Sequence, residues 1–118
     1  DWKKWSEIIK SKYRYKLAFA VQDGMTKKDV PIDADVVFVG GSFEWKWRTA
    51  QMWCSEFQRV HIARVNTIKR VWKCHDWGAE SIDGTGWFRD GANNHRMRVL
   101  EDYFQQKRSL QKELNLEL

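Results

Sequence analysis

The stretches that decide the fold are two short apolar runs, Leu17-Ala-Phe-Ala-Val21 and Val36-Val-Phe-Val39. Both are almost continuously apolar, which is typical of parallel strands that are covered on both faces. Two further runs, at residues 60–63 with Val65 and at residues 79–82, predict two more strands. Because helical patterns follow most of these runs, the sequence predicts an α/β fold with a parallel sheet.

The spacing of apolar residues predicts four helices, at residues 2–12, about 44–57, 68–77 and about 94–114. Ser42 and Thr67 are candidate N-caps of the second and third helices, and Gly78 is the candidate C′ residue of the third. The connection at residues 23–35 barely has the length that a parallel crossover needs. The order of elements predicts a parallel four-stranded βα half-barrel, a TIM-barrel-like segment, with a long C-terminal helix, as a single domain over residues 1–118.

Composition narrows the class of protein. The chain of 118 residues is long enough for one domain, and its 42% hydrophobic content argues against disorder. It carries 21 basic and 16 acidic residues, a net charge of +5, and eight tryptophans. No apolar run approaches the roughly 18 residues of a membrane span, and the basic N-terminus does not look like a secretory signal. We therefore expect a cytoplasmic protein without a membrane partner, and the start at Asp1 leaves open that it is a piece of a longer chain.

Cysteine and histidine spacing predicts no metal site. Cys54 and Cys74 do not form a CxxC pair, and His61, His75 and His95 lack the spacing of zinc ligands. Two reduced, mostly buried thiols are the expected state.

Small or polar residues follow every predicted strand. They are Gln22, Asp23 and Gly24; Gly40, Gly41 and Ser42; Arg64, Asn66 and Thr67; and Asp83, Gly84, Thr85 and Gly86. Ligands of parallel α/β folds bind outside the carboxyl ends of the strands, so these residues are expected to converge on one site.

Each of these residues has a structural and a functional interpretation. The Gly40-Gly41 pair forms a tight turn, or it lets a flat ligand reach backbone N–H groups. Asp83 is a solvated turn residue, or a nucleophile or base fixed at a strand end. Gln22 offers a donor and an acceptor that suit a purine edge, and the glycines after Asp83 resemble half of a phosphate loop.

Basic residues are concentrated between positions 46 and 73, where Glu56 is the only acid. Such a run forms either a solvated helix face or a surface for a polyanion. The candidate nucleic-acid surface consists of Lys46, Arg48, Lys69 and Arg70.

The order of the strand-end motifs resembles a known family. Val21-Gln-Asp-Gly24, Val39-Gly-Gly41, residues 60–67 and Gly78-Ala-Glu-Ser-Ile-Asp83 resemble the C-terminal half of the tRNA-guanine transglycosylase barrel. They also resemble the related DNA-modifying transglycosylases associated with 7-deazaguanine. The similarity covers about residues 17–89.

The resemblance implies an exchange of guanine for a 7-deazaguanine base in tRNA or DNA, without an organic cofactor. Asp83 falls where the family has the nucleophile that forms a covalent glycosyl-enzyme. Gln22 and Gly41, with Gly40 supporting the turn, fall where the family reads the purine edge, and Ala63 falls where a side chain covers the base.

Other residues depart from the family. Arg64 and Asn66 replace residues that are usually glycine, which favours a narrower pocket or, with Thr67 and Gly84, contacts to a phosphate. The family's zinc site of three Cys and one His is not found, and the barrel half that supplies a second catalytic Asp is missing. We therefore expect either a homo-oligomer or docking on a separate N-terminal half.

Two other functions stay open, and with them whether the chain is an enzyme. One is a non-catalytic nucleic-acid-binding or assembly module of the same fold. The other is a TIM-like enzyme that binds a phosphorylated small molecule through residues 64–67 and 84–86.

Overall fold

The computed structural model describes residues 1–88 and 95–117. Four strands alternate with helices along the chain. The elements are α1 (Trp2–Tyr13), β1 (Ala18–Val21), a 3₁₀ turn (Lys27–Asp29), β2 (Val36–Val39), α2 (Phe43–Glu56), β3 (Val60–Ile62), α3 (Ile68–Trp77), β4 (Ser81–Ile82), a second 3₁₀ turn (Gly86–Phe88) and α4 (His95–Glu117).

The strands form one parallel sheet in the order β1-β2-β3-β4. The predicted α/β class and its four parallel strands are therefore confirmed. Between β1 and β2 the short connection holds only the 3₁₀ turn at Lys27–Asp29 and no α-helix. The first residue of the predicted last helix, Asn94, lies outside the described residues.

One face of the sheet carries the core. Val37, Val39, Val60 and Ile62 alternate along β2 and β3 and are almost fully buried, together with Trp53 of α2. Strand side chains alternate between the two faces, so every second residue of these apolar runs points toward α2 and α3.

The opposite face carries a row that crosses all four strands. The register pairs Ala20 with Phe38, Phe38 with His61, and His61 with Ser81. Ala20 and Ser81 are exposed, whereas Phe38 and His61 are half-buried and stack at 4.8 Å between ring centroids. Coverage on both faces was predicted for the first two strands: on this face Ala18 and Ala20 of β1 are exposed, so the prediction is wrong for β1 within the described residues, and Val36 and Phe38 of β2 are half-buried. Small alanines and the stacked rings limit the apolar area that this face exposes.

The predicted caps of α3 are present, but that of α2 differs. Thr67 accepts a hydrogen bond from the Arg70 backbone N–H, and Gly78 ends α3 with a φ of 83°. Ser42 occupies the N-cap position of α2 but makes no side-chain cap, because its hydroxyl donates to a carboxylate of Asp23.

Helix α4 packs against α3 through an aromatic contact. The buried ring of Tyr103 meets Trp72 edge-on at 4.6 Å, and its hydroxyl lies 3.2 Å from Nδ1 of His75.

Cys54 and Cys74 are both free thiols, as predicted, and burial raises the pKa of Cys74 to about 12.

Across residues 1–88 and 95–117, each helix is too short or too polar to cross a membrane.

Candidate active site at the carboxyl edge of the sheet

The four residues that directly follow the strands lie side by side. Because the last residues of neighbouring strands pair in register, Gln22, Gly40, Ala63 and Asp83 continue the sheet as one row. Together with Phe38, Gly41 and Arg64 they line an open pocket of about 440 Å³. The structure therefore brings together the predicted nucleophile and every predicted base-binding residue.

The ends of β1 and β2 are joined by side-chain hydrogen bonds. Oε1 of Gln22 accepts from the Gly41 backbone N–H at 2.9 Å. Asp23 accepts from the backbone N–H and from the hydroxyl of Ser42, each at 2.6 Å. These two hydrogen bonds from Ser42 hold the pKa of Asp23 below its ordinary value. Asp23 therefore has a structural role, which the sequence analysis did not assign although it placed Asp23 among the residues expected at the site.

Only glycine fits at position 41. Its φ is 77°, in the left-handed region, and an added Cβ would lie 2.5 Å from Oδ1 of Asp23 and 2.6 Å from the Trp45 ring. Both neighbours are held in place, the first by Ser42 and the second by burial. The missing side chain at position 41 therefore lets this turn pack closely against Asp23 and Trp45.

Arg64 links the ends of β2, β3 and β4. Its backbone has a φ of 56°, and its N–H donates to Oδ1 of Asp83 at 3.1 Å. Its guanidinium donates to the Gly41 carbonyl oxygen. A left-handed conformation costs a residue with a side chain about 1–2 kcal/mol, so the fold holds Arg64 in a strained turn.

Lys46 does not belong to the predicted nucleic-acid surface, because it is only 1% exposed. Its Nζ donates to the carbonyl oxygens of Ala63 at 2.5 Å and Arg64 at 3.2 Å. Burial, aided by the charge of Arg64, lowers the pKa of Lys46 to about 8. The signal for burial is the spacing of Lys46, Ala50 and Trp53, which places them on one face of α2.

Asp83 lies at the centre of a hydrogen-bonded set. Its Oδ2 is 2.7 Å from Nε2 of His61, whose Nδ1 is 2.7 Å from Oγ of Ser81. Burial pushes the pKa of Asp83 upward, but the hydrogen bonds from His61 and from the Arg64 N–H outweigh it and the pKa lies below its ordinary value. Asp83 is therefore an anion near neutral pH.

His61 and Ser81 are members of the site that sequence reasoning missed. Each stands two residues before a predicted site residue, Ala63 and Asp83 respectively. Residues two apart on a strand share a face, and that spacing is the signal that identifies them.

A second, basic pocket of about 210 Å³ adjoins the first and shares Arg64 with it. Its other lining residues are Phe43, Lys46, Asn66, Thr67 and Arg70. The Arg70 guanidinium lies 4.6 Å from the Phe43 ring centroid, and Oδ1 of Asn66 accepts from the Gly86 N–H at 2.8 Å.

The remaining predicted residues, Arg48, Lys69 and Gly84, line neither of these pockets. Arg48 on α2 and Lys69 on α3 are exposed. Gly84 lies against the Val65 carbonyl, where a Cβ would not fit. Within the described ranges, no group of three or more His, Cys, Asp or Glu side chains could hold a metal ion.

Comparisons of the chain with protein-family models, with curated proteins and with solved structures each found no match.

The turn at Gly41 gives a prediction about stability. Gly24→Ala, at a φ of 85° with open space around it, is expected to cost about 1–2 kcal/mol of unfolding free energy from backbone strain alone. Gly41→Ala adds overlap with Asp23 and Trp45, which is expected to cost about 1–3 kcal/mol more. Urea unfolding of both variants measures the difference, and equal losses would contradict the close packing of this turn.

Lys46 gives a prediction about pH. The folded chain releases the Lys46 proton near pH 8, whereas the unfolded chain keeps it to about 10.5. Between these values the unfolded state binds more protons, so this lysine makes stability rise with pH. The free energy of unfolding of the wild type should therefore increase relative to Lys46→Met from pH 8 to 10.5, by at most about 3 kcal/mol.

The matched control is Lys73→Met, at an exposed position of α3. Urea unfolding of the three proteins at several pH values is the measurement. The same pH dependence in both variants would show that it does not come from Lys46.

Proposed function

We propose that the chain is a transglycosylase-like enzyme that exchanges guanine for a 7-deazaguanine base in tRNA or DNA. The observation that carries the proposal is the ionised, doubly hydrogen-bonded Asp83, which lines the same open pocket as Gln22, Gly40 and Ala63. A carboxylate with these neighbours matches, in kind and order, the strand-end set of the tRNA-guanine transglycosylase family.

The reaction follows from the carboxylate. An oxygen of Asp83 attacks the ribose C1′ atom, the bond from C1′ to N9 of guanine breaks, and guanine leaves with its electron pair and takes up a proton. The resulting ester is attacked at C1′ by the incoming base, which loses its N9 proton, and the carboxylate is released. The lowered pKa of Asp83 suits a nucleophile, because a carboxyl group must be ionised to attack.

Gly40 supports binding of a flat base. A Cβ at this position would lie 2.9 Å from Nε2 of Gln22, so the missing side chain leaves room beside that amide at the pocket. The Oε1 atom of Gln22 is engaged with Gly41, so its Nε2 group is the donor we assign to the base edge.

The conformation of Arg64 supports the family resemblance. The family usually has glycine at this position, and a φ of 56° is the conformation that glycine adopts with least strain. Here an arginine keeps that conformation and adds a cation between the two pockets. We assign the adjoining pocket of Arg64, Arg70 and Thr67 to a backbone phosphate next to the reacting nucleoside.

The uncovered sheet face supports a half-barrel that a second half completes. Each member of its row of Ala20, Phe38, His61 and Ser81 stands two residues before a member of the strand-end row, on the same face of the sheet. Both outer strands leave an unpaired edge within the described residues. Closure would come from a second copy of the chain or from a separate N-terminal half. Light scattering distinguishes them, since a dispersed monomer that becomes active only with a second chain excludes pairing of copies.

Replacement of the nucleophile tests the proposal. Wild type, Asp83→Asn and the control Asp76→Asn, an exposed residue of α3, are incubated with labelled guanine and either tRNA or duplex DNA. We expect label in the nucleic acid with wild type and Asp76→Asn, and at least about a 100-fold loss with Asp83→Asn, because no covalent ester can form.

Denatured samples of the wild-type mixture should also contain a covalent adduct between the chain and the nucleic acid. Equal exchange by Asp83→Asn, or no exchange by the wild-type chain when it is assembled with its second half, would overturn the proposed transglycosylase function.

A second candidate is a nucleic-acid-binding module without catalysis, which the exposed cations Arg48 on α2 and Lys69 on α3 favour. Phosphate contacts lower the slope of log affinity against log salt by about 0.9 each on duplex DNA. The pair Arg48→Gln and Lys69→Gln should therefore weaken binding and reduce that slope by up to about 2, as measured by fluorescence anisotropy.

The control pair is Lys3→Gln and Lys4→Gln on α1, which is expected to bind as wild type does. A pure binding module also binds equally well with Asp83→Asn and shows no exchange. An equal loss of affinity in the α1 pair and in the pair at Arg48 and Lys69 would show a general effect of net charge and would reject this candidate.

A further inference from the structure

We propose that His61, itself oriented by Ser81, is the positioning residue that keeps Asp83 ionised and directed into the pocket. The inference rests on the proposed function and names a group that neither the family resemblance nor the motifs assign. It is carried by the two hydrogen bonds of the His61 ring and by its place on the sheet.

The hydrogen-bonding capacity of the groups defines the arrangement. An ionised carboxylate only accepts, so the contact of 2.7 Å between Nε2 of His61 and Oδ2 of Asp83 requires a proton on Nε2. In the neutral ring Nδ1 is then an acceptor, and the Ser81 hydroxyl at 2.7 Å donates to it. Asp83 therefore fixes the proton on Nε2, and Ser81, whose hydroxyl can donate or accept, holds the other ring nitrogen in place.

The ring of His61 has little freedom to move. Its side chain is 18% exposed and stacks on Phe38 with an interplanar angle of 20°. His61 and Ser81 are direct partners in the register of β3 and β4, so the backbone sets their separation. The donor is thus fixed before any ligand binds, as efficient positioning requires.

Asp83 is held at one side and open at the other. His61 binds Oδ2 and the Arg64 backbone N–H binds Oδ1, yet half of the Asp83 side chain is exposed at the pocket. The Lys46 ammonium from α2 also acts on it through its charge, and the Arg64 side chain from the turn after β3 lines the same pocket. Among these groups, His61 is the side chain that contacts the carboxylate directly, so its removal isolates one hydrogen bond.

The experiment follows Asp83 itself and needs no substrate. The full chain is labelled with ¹³C-aspartate, and the Asp83 carboxyl signal, assigned with Asp83→Asn, is titrated by NMR. His61→Phe keeps a ring against Phe38 but cannot donate, so we expect the pKa of Asp83 to shift upward. His61→Gln restores a donor toward Asp83 and an acceptor toward Ser81, and we expect it to bring the pKa back toward the wild-type value.

The matched control is His75→Phe, since His75 contacts Tyr103 and not Asp83. Ser81→Ala is a milder variant that decides the matter if His61→Phe does not fold, and it should shift the Asp83 pKa in the same direction by less. An unchanged Asp83 titration in His61→Phe, or in Ser81→Ala where the former is unfolded, would overturn the proposal.

The exchange assay separates this inference from the proposed function. If wild type exchanges guanine, the acid limb of its pH profile should move upward in His61→Phe and return in His61→Gln. If wild type does not exchange guanine, the proposed transglycosylase function is rejected. The NMR titration still decides whether His61 sets the pKa of Asp83.

Discussion

The in-register pairing of the last residues of the four strands is the constraint on which the rest of the molecule depends. Val21, Val39, Ile62 and Ile82 lie side by side, so the residue after each strand must lie beside its neighbours as well. A slip of one residue in any strand would move the residue after it to the core face and its valine or isoleucine to the open face. The apolar row of the core therefore holds the strand-end row in place.

The turns above this row form a second layer of order. Asp23 joins the end of β1 to the start of α2 by a hydrogen bond, and Arg64 joins the end of β3 to those of β2 and β4. Lys46 of α2 donates a hydrogen bond to the turn after β3. Each of these contacts joins segments that are far apart in the sequence. Hydrogen bonds between distant parts of the chain therefore position the site.

The sequence predicted the order of the elements well, because short apolar runs and capping residues such as Thr67 and Gly78 are local signals. It also predicted which residues share the pocket, since parallel strands align their carboxyl ends. It failed for Lys46, whose charge suggested a surface position although its helical spacing with Ala50 indicated burial. It missed His61, although the spacing from Ala63 places His61 on the same face of the sheet, because its contact with Asp83 also depends on the register between β3 and β4.

The buried ammonium of Lys46 and the left-handed backbone of Arg64 have a joint consequence for how this chain changes under selection. Both features lower the stability of the fold, since an apolar side chain in place of a buried charge, or glycine at a positive φ, is often more stable. Both also shape the turn that holds Asp83. Selection for stability alone would favour replacing them, so their persistence would mark a trade-off in which the chain keeps a costly turn for the sake of its pocket.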